Sequence, residues 1–288
     1  VKGEALLPLD PSLYRETVRR ALTEDIRSGD VTTAATVSPD LRAVGEVVCG
    51  APCVLAGLEV AVETFLQLDP TVHVSRLRLD GDQCAAGDEV FRVAGLGRAL
   101  LTAERTALNF LQRMSGVATL TRRCVATVKG RTIVLDTRKT IPTLRALDKY
   151  AVRASGGVNH RMALDDAILI KDNHIALAGS ISEAVARVKR VGHTGLVTVE
   201  VQNLSDVAQA IESRADVLLA DNMDRAEIEE TIRLTRGVAK VEVSGGLTVD
   251  RLEEVAVSGP EYVSIGAMTH SAQAVDFSFD LNVDNSLK

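Results

Sequence analysis

The sequence predicts an α/β fold in which a parallel β/α-barrel follows a smaller mixed α/β region. Beyond residue 130, six short runs of β-branched or aliphatic residues recur, separated by stretches of mostly helical pattern. The runs end near Leu135, Ile170, Val199, Leu219, Val243 and Ile265. Because they are apolar on both faces, they are typical of parallel strands buried under helices. No glycine-rich dinucleotide-binding fingerprint follows the first run, which favours a barrel over a doubly wound sheet.

The elements before the barrel are more mixed. Asp10 precedes a proline and predicts the cap of an opening helix. Between residues 43 and 93, short β-prone runs alternate with glycine and proline, which indicates a small sheet with covering helices. Residues 101–128 then have the pattern of a long helix, with Thr102 as its expected cap and a break at Gly116.

Composition limits the classes of partner and compartment. The 288 residues suffice for one barrel and a smaller companion domain. A net charge of −6, from 33 Lys and Arg against 39 Asp and Glu, argues against nucleic acid or an anionic membrane as a partner. No apolar run approaches the roughly 18 residues of a membrane span, and the start lacks a signal pattern. We therefore expect a soluble, cytoplasmic protein.

The four cysteines are too few for a disulfide framework in a chain of this size. Cys49 and Cys53 share a CxxxC spacing, but no histidine or second cysteine pair follows in the manner of a zinc module. We expect buried, reduced thiols at Cys49, Cys53, Cys84 and Cys124.

Each of the six predicted strands is followed by charged or polar residues. They include Asp136, Thr137, Arg138 and Lys139; Lys171 and Asp172; Glu200; Asp221 and Asn222; Glu242 and Ser244; and Gly266 and His270. In β/α-barrels the carboxyl ends of the strands converge on one mouth, which carries the active site. The pattern therefore predicts an enzyme site rather than scattered surface charge.

The cations among these residues indicate an anionic ligand. The candidates are Arg105, Arg138, Lys139, His160, Arg161 and Lys171. Guanidinium groups bind carboxylate or phosphate through two hydrogen bonds, and lysine supplies a point charge. A structural ion pair is the better interpretation of any one of them alone, but not of the set at the strand ends. By contrast, we interpret Arg145, Lys149 and Arg153, spaced by four, as a solvated helix face.

Glycines and acids complete the predicted site. Gly245, Gly246 and Gly266 would let backbone N–H groups approach a phosphate, and barrels often hold phosphate in their last two βα loops. Such glycines also make ordinary turns. Glu200 and Asp221, on adjacent predicted strands, could hold Mg²⁺ with substrate phosphates, fix ribose hydroxyls, or simply neutralise nearby lysines. Together the groups predict a phosphorylated sugar as substrate, with a metal.

Several motifs carry a resemblance to a known family. The stretches "EDIRSGDVTT", "LLTAERTALNFLQRMSG", "VEVQNL", "LLADN", "VEVSGGLT" and "IGAMTHS", with a long match from "DTRKT" to "KDNH", closely resemble quinolinate phosphoribosyltransferases. The resemblance runs from about residue 20 to 281. It implies an N-terminal α/β sandwich over residues 1–114, to which residues 275–288 return. It also implies an incomplete parallel β/α-barrel over residues 115–274.

The resemblance also implies a reaction and roles for residues. Phosphoribosyl pyrophosphate and quinolinate would give nicotinate mononucleotide, pyrophosphate and CO₂, for NAD biosynthesis. The implied quinolinate pocket is Arg105, Arg138, His160, Arg161 and Lys171. Phosphoribosyl pyrophosphate would contact Lys139, Lys171, Glu200 and Asp221, with its 5′-phosphate on Ser244, Gly245, Gly246, Ile265, Gly266 and Ala267, and His270 supporting that loop. Thr137 is a further implied substrate-binding residue.

Within this set the catalytic residues would be Lys139, Lys171, Glu200 and Asp221, with the two acids also holding Mg²⁺. The family further implies a homodimer or hexamer in which Arg105 reaches the active site of a neighbouring subunit. Two departures from the family pattern are Gln202, where relatives often carry an acid, and the segment 26–28 in place of a leucine-glycine pair. Neither departure falls on a residue assigned to chemistry.

Three alternatives remain open at this point. A paralogue of the same fold, such as the ModD-like proteins, would use another acceptor base. Lys171 at a strand end could instead be a Schiff-base lysine of an aldolase. A non-catalytic phosphate sensor would keep residues 244–267 but have little reason to keep Lys139, Glu200 and Asp221 together.

Overall fold

The computed structural model describes residues 6–192 and 194–284, which form two compact units. The first unit takes in residues 1–122, 141–156 and 271–288, and the second takes in residues 123–140 and 157–270. Residues 1–5 and 285–288, at the two ends of the predicted N-terminal domain, lie outside the described residues. Within the described residues, no helix has both the length and the apolar composition that a membrane span requires.

The helices and strands up to residue 128 are α1 (Arg15–Ile26), α2 (Val31–Thr36), β1 (Arg42–Cys49), β2 (Cys53–Val54), α3 (Leu58–Leu68), β3 (His73–Arg76), β4 (Gln83–Cys84), β5 (Glu89–Leu96) and α4 (Gly97–Val128). The later elements are β6 (Ile133–Leu135), α5 (Arg145–Ala154), β7 (Ile168–Ile170), α6 (Asp172–Ala178), α7 (Ile181–Arg190), β8 (Val197–Val201), α8 (Leu204–Glu212), β9 (Val217–Asp221), α9 (Arg225–Thr235), β10 (Lys240–Ser244), α10 (Val249–Ser258), β11 (Tyr262–Ser264), α11 (Ala267–His270) and β12 (Phe277–Val283).

The first unit is built on an antiparallel sheet of order β12-β1-β5-β3. Along β1 every second residue is buried, because successive side chains of a strand point to opposite faces. The strand from the end of the chain pairs with β1 along its length. Gly45 leaves room for the ring of Phe279 on the neighbouring strand, which occupies the space that a Cβ would fill. Phe65 from α3 and Phe91 from β5 meet edge to face in the aliphatic core beneath.

The second unit is an incomplete parallel β/α-barrel, as predicted. Its six strands have the order β6-β11-β10-β9-β8-β7, so β6 returns beside the last strand and the ring stays open between β6 and β7. On the open side of β6, Val158 forms an isolated parallel bridge with Leu135. All five residues of β8 are buried, which fits a strand covered on both faces. The six predicted runs correspond to the six strands.

The prediction for α4 was wrong in two details. The helix is continuous from Gly97 to Val128, so Thr102 does not cap it and instead donates its hydroxyl to Asp30, 3.1 Å away. Gly116 does not break the helix either. A Cβ at Gly116 would lie 2.2 Å from the carbonyl oxygen of Gln273, so the glycine serves close packing of backbone against the helix.

Three further expectations can be compared with the structure. Asp10 does cap a helical turn, but that turn is a short 3₁₀ segment ahead of α1. The solvated face predicted for α5 was wrong at Lys149. This side chain is fully buried, as are all residues of the helix from 147 to 152. The four cysteines are free and buried, as expected.

Candidate active site

A cavity of about 430 Å³ lies at the carboxyl ends of the parallel strands in the second unit. Its lining residues are Thr137, Arg138, Lys139, His160, Arg161, Leu169, Lys171, Asp172, Glu200, Leu219, Asp221, Glu242, Ser244 and Ser264. Nine of these had been predicted from the sequence as site residues. The cavity therefore lies at the strand ends where the charged residues were noted.

Strand register explains why these side chains face the same space. Glu200, Leu219 and Glu242 are paired across β8, β9 and β10, so they form one row. Asp221 and Ser244 are paired two residues further along and form the next row toward the mouth. Because side chains two apart on a strand share a face, both rows line the cavity.

The two arginines of the cavity carry charge that the protein does not fully neutralise. Arg161 donates from Nη1 to the carbonyl oxygen of Ala167 at 3.0 Å, and burial together with the positive charge of Arg138 lowers the Arg161 pKa. Nε of Arg138 is buried and has no hydrogen-bond partner among the described residues. Two neighbouring guanidinium groups that are partly buried and repel each other favour binding of an anion with at least two acceptor oxygens.

Two acids, Glu200 and Asp221, line the same cavity. Nζ of Lys171 is 3.6 Å from Oε2 of Glu200, whose side chain is only 7% exposed. Burial raises the pKa of Glu200, Lys171 lowers it, and the negative charge of Asp221 raises it again. Asn222 donates from Nδ2 to Asp221 at 2.8 Å. The cavity thus contains both cationic and anionic groups, which suits a ligand with both phosphate or carboxylate groups and hydroxyls.

The acids fit a magnesium ion that is shared with a substrate. Among residues 6–192 and 194–284, no three His, Cys, Asp or Glu side chains are placed to enclose a metal by themselves. Glu200 and Asp221 offer two carboxylates, and Mg²⁺ in phosphate-transfer sites typically takes one or two carboxylates together with substrate phosphates and water. The donor set therefore fits Mg²⁺ only when a phosphorylated substrate completes it.

His160 is held by a network that the sequence analysis did not assign to the site. Asp136, which is fully buried, accepts the backbone N–H of His160 at 2.8 Å and Nδ2 of Asn159 at 2.6 Å. Nδ1 of His160 accepts the N–H of Arg161 at 2.7 Å, and Nε2 lies 3.4 Å from Oε2 of Glu242. Asp136 and Glu242 were noted at strand ends from the sequence but were given no role. Glu242 stands two residues before Ser244 on the same strand and so shares its face.

The glycine loops lie close to the cavity lining. Gly245 has a φ of +94°, and a Cβ there would lie 2.4 Å from Oδ1 of Asn222. A Cβ at Gly266 would lie 2.8 Å from Cδ of Lys139, so glycine lets this lysine pass close to the backbone. Thr269 fastens the same loop by donating its hydroxyl to the Lys139 carbonyl at 2.8 Å.

The remaining predicted residues have less direct positions. Gly246 has a φ of +55° and is exposed. Ile265 is buried and donates its N–H to the carbonyl of Leu135, while Ala267 begins α11. His270 ends α11 and donates its backbone N–H to Gly266 at 3.1 Å. These residues belong to the two loops rather than to the cavity wall.

Arg105 differs from the other predicted site residues because it lies in the first unit. It stands on the exposed side of α4, with 59% of its side chain accessible to solvent. Its guanidinium is 3.8 Å from the carboxylate of the neighbouring Glu104. The cavity residues just described all come from the second unit.

Two family models match the chain and together cover most of its length. Residues 30–115 match the model described as quinolinate phosphoribosyl transferase, N-terminal domain. Residues 117–280 match the corresponding C-terminal domain. The second match contains every residue that lines the cavity.

Similar proteins with known names point the same way. A probable carboxylating nicotinate-nucleotide pyrophosphorylase of Bacillus subtilis is 39% identical over 264 residues, covering 91% of each chain. The carboxylating nicotinate-nucleotide pyrophosphorylase of Mycobacterium leprae is 39% identical over 277 residues, covering 93% of this chain and 96% of its own. The solved nicotinate-nucleotide pyrophosphorylase of Francisella tularensis superposes with a TM-score of 0.92 at 36% identity, covering 98% of this chain and all of that one.

Proposed function

The chain belongs to the quinolinate phosphoribosyltransferase family, and from this premise we propose that the cavity of the second unit is its active site. The chain is a decarboxylating pentosyltransferase: it transfers the phosphoribosyl group of phosphoribosyl pyrophosphate to quinolinate. The products are nicotinate mononucleotide, pyrophosphate and CO₂. The observation that carries the assignment to this cavity is that the neighbouring arginines Arg138 and Arg161 line it together with the acids Glu200 and Asp221.

The cationic residues of the cavity suit quinolinate. Its two adjacent carboxylates would bind Arg138, Arg161 and Lys171, with His160 donating a further hydrogen bond. This binding would relieve the repulsion between the two guanidinium groups. It would also fix the ring nitrogen toward the space in front of Glu200 and Asp221, and such positioning supplies much of the rate enhancement in group transfer.

The acidic residues of the cavity suit the ribose and its pyrophosphate. Glu200 and Asp221 would accept hydrogen bonds from ribose hydroxyls and hold Mg²⁺ together with the pyrophosphate. When bound, Mg²⁺ supplies positive charge that favours departure of the pyrophosphate. Lys139 would bind the same leaving group, and the loops at 244–246 and 265–267 would hold the 5′-phosphate through their backbone N–H groups.

The chemistry needs no covalent bond to the protein. As the pyrophosphate leaves, C1 of the ribose gains positive character, which the carboxylates of Glu200 and Asp221 stabilise. The ring nitrogen then bonds to C1 and becomes a pyridinium. Because the pyridinium withdraws electrons, the carboxylate next to the nitrogen is lost as CO₂, its bonding electrons stay on the ring carbon, and that carbon takes up a proton.

The alternatives from the sequence have less support. A Schiff-base role for Lys171 leaves the pairing of its ammonium with Glu200 and the arginine pair unexplained. A non-catalytic sensor would not need the carboxylates that face the same space. Nothing in the comparisons supports a ModD-like paralogue with another acceptor base.

Assembly and compartment follow from the same proposal. Arg105 would complete the quinolinate pocket of a neighbouring subunit in a homodimer or hexamer, which is consistent with its exposed position on α4. Nucleic acid and membranes would not be partners. Four free, buried thiols suit a reducing compartment, and we place the reaction in the cytoplasm.

The acceptor assay tests the proposal directly. Purified protein would be incubated with Mg²⁺, phosphoribosyl pyrophosphate and either quinolinate or nicotinate, and nicotinate mononucleotide would be followed by chromatography. We expect product and CO₂ from quinolinate and none from nicotinate, because one carboxylate leaves part of the arginine pair without a counterion. Product from nicotinate alone, or from neither acid in folded protein, would contradict the proposal.

A further inference from the structure

We propose that Asn222 is a positioning residue whose side-chain amide fixes the direction of the Asp221 carboxylate beside the loop at residues 244–246. The proposal rests on the function proposed above for the ligand, which is phosphoribosyl pyrophosphate with Mg²⁺. What Asn222 does to Asp221 can be tested without that ligand.

The first observation is a hydrogen bond between the two side chains. Nδ2 of Asn222 donates to Oδ2 of Asp221 at 2.8 Å. Because a carboxylate only accepts hydrogen bonds, the NH₂ group of the amide must face Asp221, and the carbonyl oxygen of the amide must point away from it. The bond engages one oxygen of Asp221 and leaves the other available to a ligand in the cavity that Asp221 lines.

The backbone around Asn222 is fixed on both sides. Its φ is +57°, in the left-handed region that asparagine tolerates better than most residues. Its N–H donates to the carbonyl oxygen of Ser244 at 3.1 Å, which extends the pairing of β9 with β10 by one residue. The next residue, Met223, is buried. The amide therefore reaches Asp221 from a preorganised position rather than from a flexible loop.

The other end of the amide lies against Gly245. A Cβ at Gly245 would lie 2.4 Å from Oδ1 and 2.6 Å from Cγ of Asn222, so the amide occupies the space that a side chain at residue 245 would need. Asn222 thus lies between the acid proposed to hold Mg²⁺ and the loop proposed to hold the 5′-phosphate. Since one substrate must reach both, a fixed spacing between them lowers the cost of binding.

Asn222→Gly is the decisive variant, because glycine adopts the left-handed conformation without strain and only the amide is lost. The matched control is Arg214→Gly. Arg214 is exposed, has the same φ of +57°, and lies just before β9, at the opposite end of that strand from Asn222. The control therefore measures the effect of glycine in this backbone conformation alone. Thermal unfolding shows whether both variants are folded.

The direction of Asp221 is measured in crystal structures of the wild type and the two variants without ligand. We expect one side-chain rotamer of Asp221 in the wild type and in Arg214→Gly. In Asn222→Gly we expect the carboxylate to be turned, or divided between two rotamers, because no amide holds it.

Binding is measured by calorimetric titration. The Kd for phosphoribosyl pyrophosphate with Mg²⁺ should rise about tenfold in Asn222→Gly, the loss typical when a partner that orients a metal-binding side chain is removed. In Arg214→Gly the same Kd should change by less than about twofold, because that residue shares no partner with the cavity. Benzene-1,2-dicarboxylate has two adjacent carboxylates, as quinolinate does. Its Kd should change by less than about twofold in both variants, since its carboxylates would bind the arginines rather than Asp221.

Four results would overturn the proposal. They are an Asp221 carboxylate that keeps one direction in Asn222→Gly, an unchanged Kd for phosphoribosyl pyrophosphate in that variant, an equal weakening of both ligands, or an equal loss in Arg214→Gly. If the wild type does not bind phosphoribosyl pyrophosphate, the proposed function fails separately. The direction of Asp221 in the crystal structures then still decides the role of Asn222.

Discussion

Two charged groups of the cavity have shifted pKa values. Burial lowers the Arg161 pKa, the positive charge of Arg138 lowers it further, and Asp166 raises it in part. Burial raises the pKa of Glu200, Lys171 lowers it, and the negative charge of Asp221 raises it again. Partly buried charges with shifted pKa values are typical of sites that bind or react.

Arg161 offers a test of the repulsion between the two arginines of the cavity. We expect Arg161→Gln to leave the Tm of the free protein unchanged or higher, because the repulsion with Arg138 is removed. Saturating benzene-1,2-dicarboxylate should raise the wild-type Tm by about 5 °C at 100 times its Kd. The same ligand should raise the Tm of the variant by less than half as much. Thermal unfolding with and without ligand measures both effects.

The control for this prediction is Arg131→Gln, which changes an exposed arginine of the same unit. Its Tm increment on ligand binding should match the wild type. A full increment in Arg161→Gln, or a clear fall in the Tm of its free form, would show that Arg161 is mainly a structural residue through its bond to Ala167.

Local patterns identified most elements but not the positions where another segment decides the outcome. The six parallel strands were predictable because buried strands read as continuous apolar runs. The break at Gly116 was wrongly predicted because the reason for the glycine lies in residue 273, far along the chain. Lys149 was misplaced for the same kind of reason, since spacing on α5 does not reveal what encloses it.

The α4 helix gives a prediction in which helix propensity and close packing have opposite effects on stability. By helix propensity alone, Gly116→Ala should stabilise the protein by about 1 kcal/mol. We expect destabilisation by about 2 kcal/mol instead, because the new Cβ would lie 2.2 Å from the Gln273 carbonyl and backbone must move. Denaturant unfolding of the variant gives the difference in free energy.

Ala126→Gly, on an exposed position of the same helix, is the matched control and should cost about 1 kcal/mol from propensity alone. If Gly116→Ala were as stable as the wild type or more stable, the close approach of residue 273 would have no energetic weight. The glycine would then be an ordinary helix residue.

At the scale of the whole molecule, the cavity residues belong to the second unit and Arg105 belongs to the first. The strand-end rule located the cavity from the sequence, because parallel strands bring their carboxyl ends to one edge whatever their order. It could not assign Arg105, which follows no barrel strand. Only the resemblance of the surrounding motif to the family suggested a role, and that role requires a second copy of the chain.

Mixing of inactive subunits tests whether Arg105 acts across an interface. Arg105→Ala and Lys139→Ala subunits should each be inactive alone, since one lacks the donated arginine and the other lacks a cavity lysine. Random mixing into dimers should restore about a quarter of the wild-type activity, because half of the dimers are mixed and each has one intact site of two. Quinolinate turnover of the unfractionated mixture measures this recovery, and mixed dimers isolated through two different tags should show about half of the wild-type activity. If mixed oligomers formed but stayed inactive, Arg105 would serve its own subunit, and assembly would not be part of the active site.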